Sequence, residues 1–281
     1  MSLELEDLMK KYIPSIILLC IFEIVAVTLW VAMDNLIYMI NFTYIGVCIS
    51  IGLALFANEK KYARRFVQFA VGSYMLIYLG VIQQENMQIE GFWYYLFLGV
   101  FEAATIHYTV AKILGPLIWG RGWCGYACWT VMILDLLPYK QPKSSRKNWG
   151  FIRYIIFTLS LVLIIGLFLM KIDNLDKIMF LLFIVGNVLY YILGISFAFV
   201  LKDNRAFCKY ICPVTVFLKP MSYYSIIRVQ CHEDKCIKCG KCLKVCPMNV
   251  EVNKDSRKRI NATECILCYE CVKECPVKAL R

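Results

Sequence analysis

Near its C-terminus the chain reads Cys236-Ile-Lys-Cys239-Gly-Lys-Cys242-Leu-Lys-Val-Cys246-Pro247 and then Cys265-Ile-Leu-Cys268-Tyr-Glu-Cys271-Val-Lys-Glu-Cys275-Pro276. Both runs follow the pattern C-x2-C-x2-C-x3-C-P, and the second begins 29 positions after the first (265 − 236). An internal repeat of this kind indicates two copies of one structural unit. These runs hold eight of the chain's 15 cysteines, at spacings typical of metal ligands.

The register of the two runs predicts two [4Fe–4S] clusters. Three closely spaced cysteines bind three irons of a cubane, and the fourth, in the following helix, reaches the other cluster. Structural zinc is the alternative, since it also binds paired C-x2-C, but it does not require this register twice. The expected ligands are Cys236, Cys239, Cys242 and Cys275 for the first cluster, and Cys265, Cys268, Cys271 and Cys246 for the second.

This region, from Val229 to Arg281, resembles the bacterial two-cluster ferredoxin family. The resemblance implies a small α+β domain whose role is one-electron transfer. Cys231 lies just before the first run, and its residue type alone favours a free thiol over a neighbour of the cluster. Thiolate ligation of iron also points to a reducing compartment.

The composition of the rest of the chain indicates a polytopic membrane protein. Of its 281 residues, 60% are hydrophobic and 18% charged, and the mean hydropathy is +0.61. A membrane-spanning helix needs ~20 apolar residues. About six stretches meet this requirement: Ile13–Met33, Leu36–Ala57, Phe66–Gln84, Phe92–Leu114, Tyr154–Met170 and Ile178–Val200.

A further apolar stretch, Leu117–Leu137, contains three glycines and Arg121, which a lipid-exposed helix would not tolerate. It is expected to be a re-entrant or interfacial segment near 115–138. The predicted domains are therefore a transmembrane helical domain at 1–200, a linker with a cysteine segment at 201–228, and a ferredoxin-like domain at 229–281.

The distribution of basic residues predicts the orientation. Lysines and arginines cluster at 60–65 and 140–153, whereas 34–35 and 85–91 contain none. By the positive-inside rule, both termini and the ferredoxin-like domain lie in the cytoplasm, and the protein is a multi-pass protein of the cell membrane. Residues 201–281 carry 16 Lys plus Arg against 8 Asp plus Glu. This excess fits either anionic lipid headgroups or the docking of an acidic electron carrier.

A second cysteine repeat follows the fourth and sixth predicted spans. It reads Arg121-Gly-Trp-Cys124-Gly-Tyr-Ala-Cys128 in one copy and Arg205-Ala-Phe-Cys208-Lys-Tyr-Ile-Cys212 in the other, with the shared form Arg-x-aromatic-Cys-x-Tyr-x-Cys. Cysteines four residues apart share one face of a helix. We call Cys124, Cys128, Cys208 and Cys212 the membrane-face cysteines. They predict a third iron–sulfur cluster or another metal site, with a mononuclear four-thiolate site, a redox dithiol, transient copper and plain packing as alternatives.

Cysteine pairs at membrane-helix ends together with a tandem ferredoxin resemble the NapH/NosR/CcoG group of membrane polyferredoxins, over roughly Phe92 to Arg281. The resemblance implies an electron relay that feeds a membrane or extracytoplasmic acceptor. Trp129 stands where the family usually has proline after the first pair, and neither the flavin domain of the NosR type nor the immunoglobulin-like domain of the CcoG type is present. The short architecture is most similar to NapH.

The leading functional hypothesis is a non-catalytic electron-transfer subunit. It would relay electrons between a cytoplasmic ferredoxin- or flavodoxin-like carrier, or a quinone, and a membrane-associated oxidoreductase. The alternatives are a cupric or other metal reductase at the membrane-face cysteines, and a metal-site assembly factor. Only His107 and His232 are present, so no haem is predicted, and without a nucleotide loop no flavin is predicted. No motif suggests nucleic-acid binding.

Overall fold

The computed structural model describes residues 2–253 and 261–281, and these residues are mostly helical. Five helical stretches are long and apolar enough to cross a membrane, as expected for a protein with membrane-spanning helices. They are Lys11–Met33, Leu36–Ala57, Ala63–Ile82, Ile152–Leu169 and Leu175–Leu201. The chain forms two compact units, the first ending at Tyr74 and the second beginning at Met75.

The first unit is a set of three consecutive helices. The side chain of Asn35 accepts a hydrogen bond from the backbone N–H of Ile37 (2.9 Å) and so caps the second helix. Gly46 allows the second helix to pack directly on Phe22 of the first, because a Cβ there would lie 2.5 Å from that side chain. The helices are α1 (Ser2–Met33), α2 (Leu36–Ala57) and α3 (Ala63–Ser73). A π-helical segment, Tyr74–Ile82, follows α3 along the chain and, apart from Tyr74, belongs to the second unit.

The second unit combines two long helices with a series of short ones. The long helices are α9 (Ile152–Leu169) and α10 (Leu175–Leu201). Before them come α4 (Ile89–Leu98), α5 (Ala103–Tyr108), a π-helical segment (Thr109–Leu114), α6 (Gly115–Trp119), α7 (Gly122–Tyr126) and α8 (Trp129–Leu134). After them come α11 (Ala206–Tyr210) and α12 (Thr215–Tyr223).

The expected fourth span, Phe92–Leu114, is divided in the structure. Gly99 ends α4 with φ of 71°, in the left-handed region that glycine adopts without strain. Phe92 and Tyr108 then stack with ring centroids 4.9 Å apart, and Phe217 of α12 packs on Phe92 at 5.4 Å. These apolar side chains face a protein core. A hydropathy pattern does not distinguish side chains that face a protein core from side chains that face lipid. The stretch Phe92–Leu114 is therefore not confirmed as a sixth membrane-spanning helix.

The C-terminal region contains two short helices, α13 (Lys241–Val245) and α14 (Glu270–Lys273), and two 3₁₀ turns, Glu233–Lys235 and Asn261–Glu264. The expected β component is not confirmed, because the described residues contain no strand. One isolated antiparallel bridge joins Cys231 to Leu280. Gln230 and Arg281 exchange backbone hydrogen bonds beside it, at 2.8 and 3.0 Å.

Candidate iron–sulfur sites

The first predicted ligand set lines a single cavity with about 350 Å³ of empty space. Three of its cysteines come from the first run and the fourth from the second, as the ligand exchange between runs requires. Cys231 lines the same cavity and so lies beside these four cysteines. The four predicted ligands are Cys236, Cys239, Cys242 and Cys275.

The cysteines of the second predicted set are also neighbours. Burial and, to a smaller extent, the nearby thiols of Cys268 and Cys246 raise the pKa of Cys265 to about 12. Burial likewise raises the pKa of Cys271, and the thiols of Cys265, Cys268 and Cys246 add to this rise. Cys246 belongs to the first run, so both sets draw their fourth cysteine from the other run.

The two fourth cysteines have matching backbone contacts. The N–H of Val250 donates to Sγ of Cys246 at 3.3 Å, and the N–H of Ala279 donates to Sγ of Cys275 at 3.2 Å. Each donor lies four residues after its acceptor, so the sequence repeat is also a structural repeat. Such N–H donors stabilise a charged sulfur and tune the cluster that it binds.

The membrane-face cysteines line one cavity with about 630 Å³ of empty space. Cys124 lies in α7 and Cys208 in α11, while Cys128 and Cys212 follow these helices. Burial raises the pKa of Cys212 to about 12, and Cys124 and Cys128 are the next largest causes. The second cysteine repeat therefore brings its four thiols to one place.

The two copies of this repeat are joined by exchanged arginines. Nη1 of Arg205 donates to the carbonyl of Cys124 at 2.9 Å, and Nη2 of Arg121 donates to the carbonyl of Cys208 at 3.4 Å. Each arginine is also paired with a carboxylate, Arg205 with Asp135 at 2.7 Å and Arg121 with Glu264. The repeated Arg was visible in the sequence, whereas its contact with the opposite copy required the fold.

Glu264 is a functional candidate that sequence reasoning missed. It immediately precedes Cys265 in the ferredoxin-like region, and its carboxylate pairs with Arg146 at 2.9 Å, Lys219 at 3.2 Å and Arg153 at 3.4 Å, besides Arg121. Burial alone would raise the pKa of Glu264, but these four cations lower it to about 2. The sequence did contain a signal for this residue, since Glu264 is an acidic residue directly before a predicted ligand cysteine in a region that is otherwise rich in lysine and arginine.

The second cysteine loop lies directly against the membrane-face repeat. A Cβ on Gly125, next to Cys124, would collide with the carbonyl oxygen of Ile266, so only glycine permits this approach. The hydroxyl of Tyr126 donates to the carbonyl of Leu267 at 2.9 Å. The Cys265–Cys268 loop is therefore in backbone contact with the segment that carries Cys124.

Buried cations outnumber their acidic partners in the region of the membrane-face cavity, and two of them, Lys112 and Arg121, line it. Five basic side chains are at most 5% exposed, and among the described residues they pair with three carboxylates, those of Glu264, Asp135 and Asp203. Such an excess is costly unless negative charge balances it. Bound thiolates would supply that charge. The five cations are Lys112, Arg121, Arg153, Arg205 and Lys209.

Lys112 belongs to the cavity of the membrane-face cysteines itself. Its Nζ lies 4.6 Å from the ring centroid of Trp123, a cation–π contact. His107 packs against the same indole, with ring centroids 5.2 Å apart, which agrees with a packing role for this histidine.

Across residues 2–253 and 261–281, no three or more His, Cys, Asp or Glu side chains are grouped to hold a single metal ion. The first set and the membrane-face set are instead brought together as the linings of two separate cavities.

Comparison with protein families supports this chemistry. A model described as a 4Fe-4S dicluster domain matches residues 235–280. A second model, a 4Fe-4S binding domain, matches twice, at residues 109–152 and 185–228. Each of the latter matches contains one pair of the membrane-face cysteines. The chain is therefore an iron–sulfur protein with ferredoxin-type 4Fe–4S domains and helices suited to a membrane.

Three relatives extend the comparison. An uncharacterized protein of Methanocaldococcus jannaschii, MJ0749, is 27% identical over 79% of this chain and 86% of its own length. A second from that organism, MJ0750, is 27% identical over 56% of this chain and 75% of its own. The putative electron transport protein YccM of Escherichia coli is 36% identical over 51 residues, 18% of this chain and 14% of YccM. No solved structure gives a significant match.

Taken with YccM, the 4Fe–4S domains support a role in iron–sulfur electron transfer. The NapH/NosR/CcoG assignment is not confirmed at that level of detail.

Proposed function

We propose that this protein is a membrane electron relay with three [4Fe–4S] sites. The first site is Cys236, Cys239, Cys242 and Cys275, the second is Cys265, Cys268, Cys271 and Cys246, and the third is the four membrane-face cysteines. When bound, such clusters accept and release one electron at a time.

The observation that carries the proposal is the contact of Ile266 with Gly125. This contact joins the loop of the second site to the helix of the third through backbone atoms. The chain's own residues maintain it, through the Glu264 ion pairs and the Tyr126 hydrogen bond. An electron-transfer role requires such short separations between sites, and a storage or packing role does not.

Two further observations favour a cluster at the third site. The 4Fe-4S binding model matches around both cysteine pairs, and the buried cation excess balances the negative charge of thiolate-bound cofactor. Arg121 and Arg205 hold the backbone of the opposite pair and thereby position all four thiols.

We further propose that the protein lies in the cytoplasmic membrane with both termini and residues 229–281 on the cytoplasmic side. The basic segments at 60–65 and 140–153 support this orientation. It requires the short helices between residues 89 and 138 to cross the membrane as a discontinuous segment. On either side of the break that follows α4, the buried side chains of Ile89, Phe92 and Tyr108 pack these short helices against the protein core.

The proposal is tested by iron and sulfide analysis with EPR on the anaerobically purified protein. Three cubanes require about twelve irons per chain and two require about eight. A Cys124→Ser/Cys208→Ser variant should lose about four irons and leave the signals of the other two clusters. Fewer than about eight irons in the wild type would reject the tandem sites, and an iron content unchanged in the variant would reject the third.

A further inference from the structure

The first cysteine loop is open to solvent, unlike the second. The side chain of Ile237 is 62% exposed, whereas Ile266, its counterpart in the repeat, is 1% exposed. Cys239 is an exposed cysteine. A loop that covers a redox centre and is left uncovered by the described part of its own chain is the place where an external partner can approach.

The centre of this exposed surface is apolar. Ile237 and Val277, the latter 37% exposed, both line the cavity of the first site. They come from different runs, so the patch exists only because the two runs fold against each other. A small apolar centre over a redox site is the feature that a transient protein partner covers.

Lysines surround that centre. The segment from Lys235 to Lys244 contains four lysines, all exposed, and no acidic residue. Two of them, Lys238 and Lys241, line the cavity of the first site. Lys278, next to Val277, is exposed as well. Three exposed acidic residues adjoin these lysines, Glu233, Asp234 and Glu274, so the surface carries a net positive charge through its excess of lysines.

We propose that this first-loop surface (Ile237, Lys238, Cys239, Lys241 and Val277) is the docking site for a small acidic protein that carries one electron at a time. The inference rests on the proposed function. It adds which of the cluster sites exchanges electrons with an external carrier, and what kind of protein that carrier is. Anionic lipid would attract the same lysines, but it would not need an apolar centre over the ligand cysteines.

The electron balance of the encounter is simple. The carrier, for example a flavin-bearing protein in its hydroquinone form, loses one electron and becomes the semiquinone. The first site gains that electron, and no bond in this chain forms or breaks. Opposite charges steer such partners together, and the rate then falls as salt is added.

The test uses the full-length, cluster-loaded protein in nanodiscs of neutral lipid. Its reduction by an acidic flavodoxin hydroquinone is followed by anaerobic stopped-flow absorbance. At low salt, Lys238→Glu/Lys241→Glu should lower the second-order rate constant about tenfold or more. The rate should also become nearly independent of salt. Lys238→Arg/Lys241→Arg should retain the wild-type rate, and so should Lys171→Glu, an exposed lysine at the far end of α9.

A second reductant separates this inference from the proposed function. Photoreduced 5-deazariboflavin is small, uncharged and strongly reducing, so it should reduce the clusters of wild type and variants to the same extent. A changed cluster potential alone would leave the salt dependence of the flavodoxin rate intact, so the loss of that dependence is the sign of lost docking. If 5-deazariboflavin reduces all of them but the flavodoxin rate does not change in Lys238→Glu/Lys241→Glu, the docking site is rejected and the relay stands. The docking site is rejected in the same way if that variant loses only its binding to anionic vesicles. If neither reductant reduces the wild type, the proposed function itself fails.

Discussion

The two cysteine loops of the C-terminal region share one pattern and have opposite surroundings. In the first loop, Lys235 and Lys238 are exposed. At the equivalent places in the second loop stand Glu264, which is buried among four cations, and Leu267, which is 6% exposed. The cysteine positions thus specify the cofactor ligands. The residues between and before the cysteines determine whether a loop contacts solvent or packs against the rest of its own chain. One copy remains accessible to partners, and the other is attached to its own chain.

The largest expected effect comes from removing the carboxylate that attaches the second loop. Glu264→Gln leaves buried Arg121 and Arg153 without their shared counter-charge, and breaking a buried ion pair costs about 3–5 kcal/mol. Hydrogen–deuterium exchange of the peptide around Cys265–Cys271 should accelerate by the corresponding factor. Lys235→Gln, at the equivalent exposed position of the first loop, serves as control and should change exchange little.

An unchanged exchange rate in Glu264→Gln would mean that the arginine network does not attach the second loop. The comparison of the two loops would then depend on apolar packing alone.

The next prediction exchanges the residues that distinguish the loops. Leu267→Lys places an ammonium where a buried leucine packs, and the lost burial alone costs about 1.5–3 kcal/mol. Lys238→Leu, the reverse change on the exposed loop, should leave stability within about 0.5 kcal/mol. Both positions have positive φ, 52° and 54°, so backbone strain is matched between the two variants. Equal thermal stabilities of the two in detergent would contradict the assignment of buried and exposed loops.

Much of this arrangement could be predicted from sequence, and the remainder depends on contacts distant in the chain. Spacing predicted which cysteines come together, because three of each set are close in sequence and the repeated register specifies the exchange of the fourth. Hydropathy located the five long helices but also suggested a continuous span at Phe92–Leu114, where Gly99 ends a helix. The exchanged contacts of Arg121 and Arg205 join residues more than 80 positions apart, and no local pattern specifies them.

A smaller effect is expected at the backbone contact between the second loop and α7. Gly125→Ala introduces a Cβ that meets the carbonyl of Ile266, and the shift needed to relieve it costs about 1–3 kcal/mol. Electron transfer between the second and third sites should slow, as measured by reduction of the third cluster after a fast pulse of reductant. Gly166→Ala in α9 is the matched control, since nothing lies within 4 Å of its Cβ position. Identical kinetics in the two variants would remove the argument that this contact sets the separation of the sites.

The smallest expected effect is a difference between equivalent tyrosine variants in the two copies of the membrane-face repeat. Tyr126 and Tyr210 occupy equivalent positions, and their hydroxyls take part in hydrogen bonds of 2.9 Å, that of Tyr126 to the carbonyl of Leu267 and that of Tyr210 from the N–H of Lys147. Replacing either with phenylalanine should cost about 0.5–1.5 kcal/mol, the net contribution of one such bond. Only Tyr126→Phe should increase hydrogen exchange in the second cysteine loop, because only that hydroxyl reaches it. If both variants loosened the loop equally, the two copies would support it jointly. The loop's attachment could then no longer be assigned to the first copy.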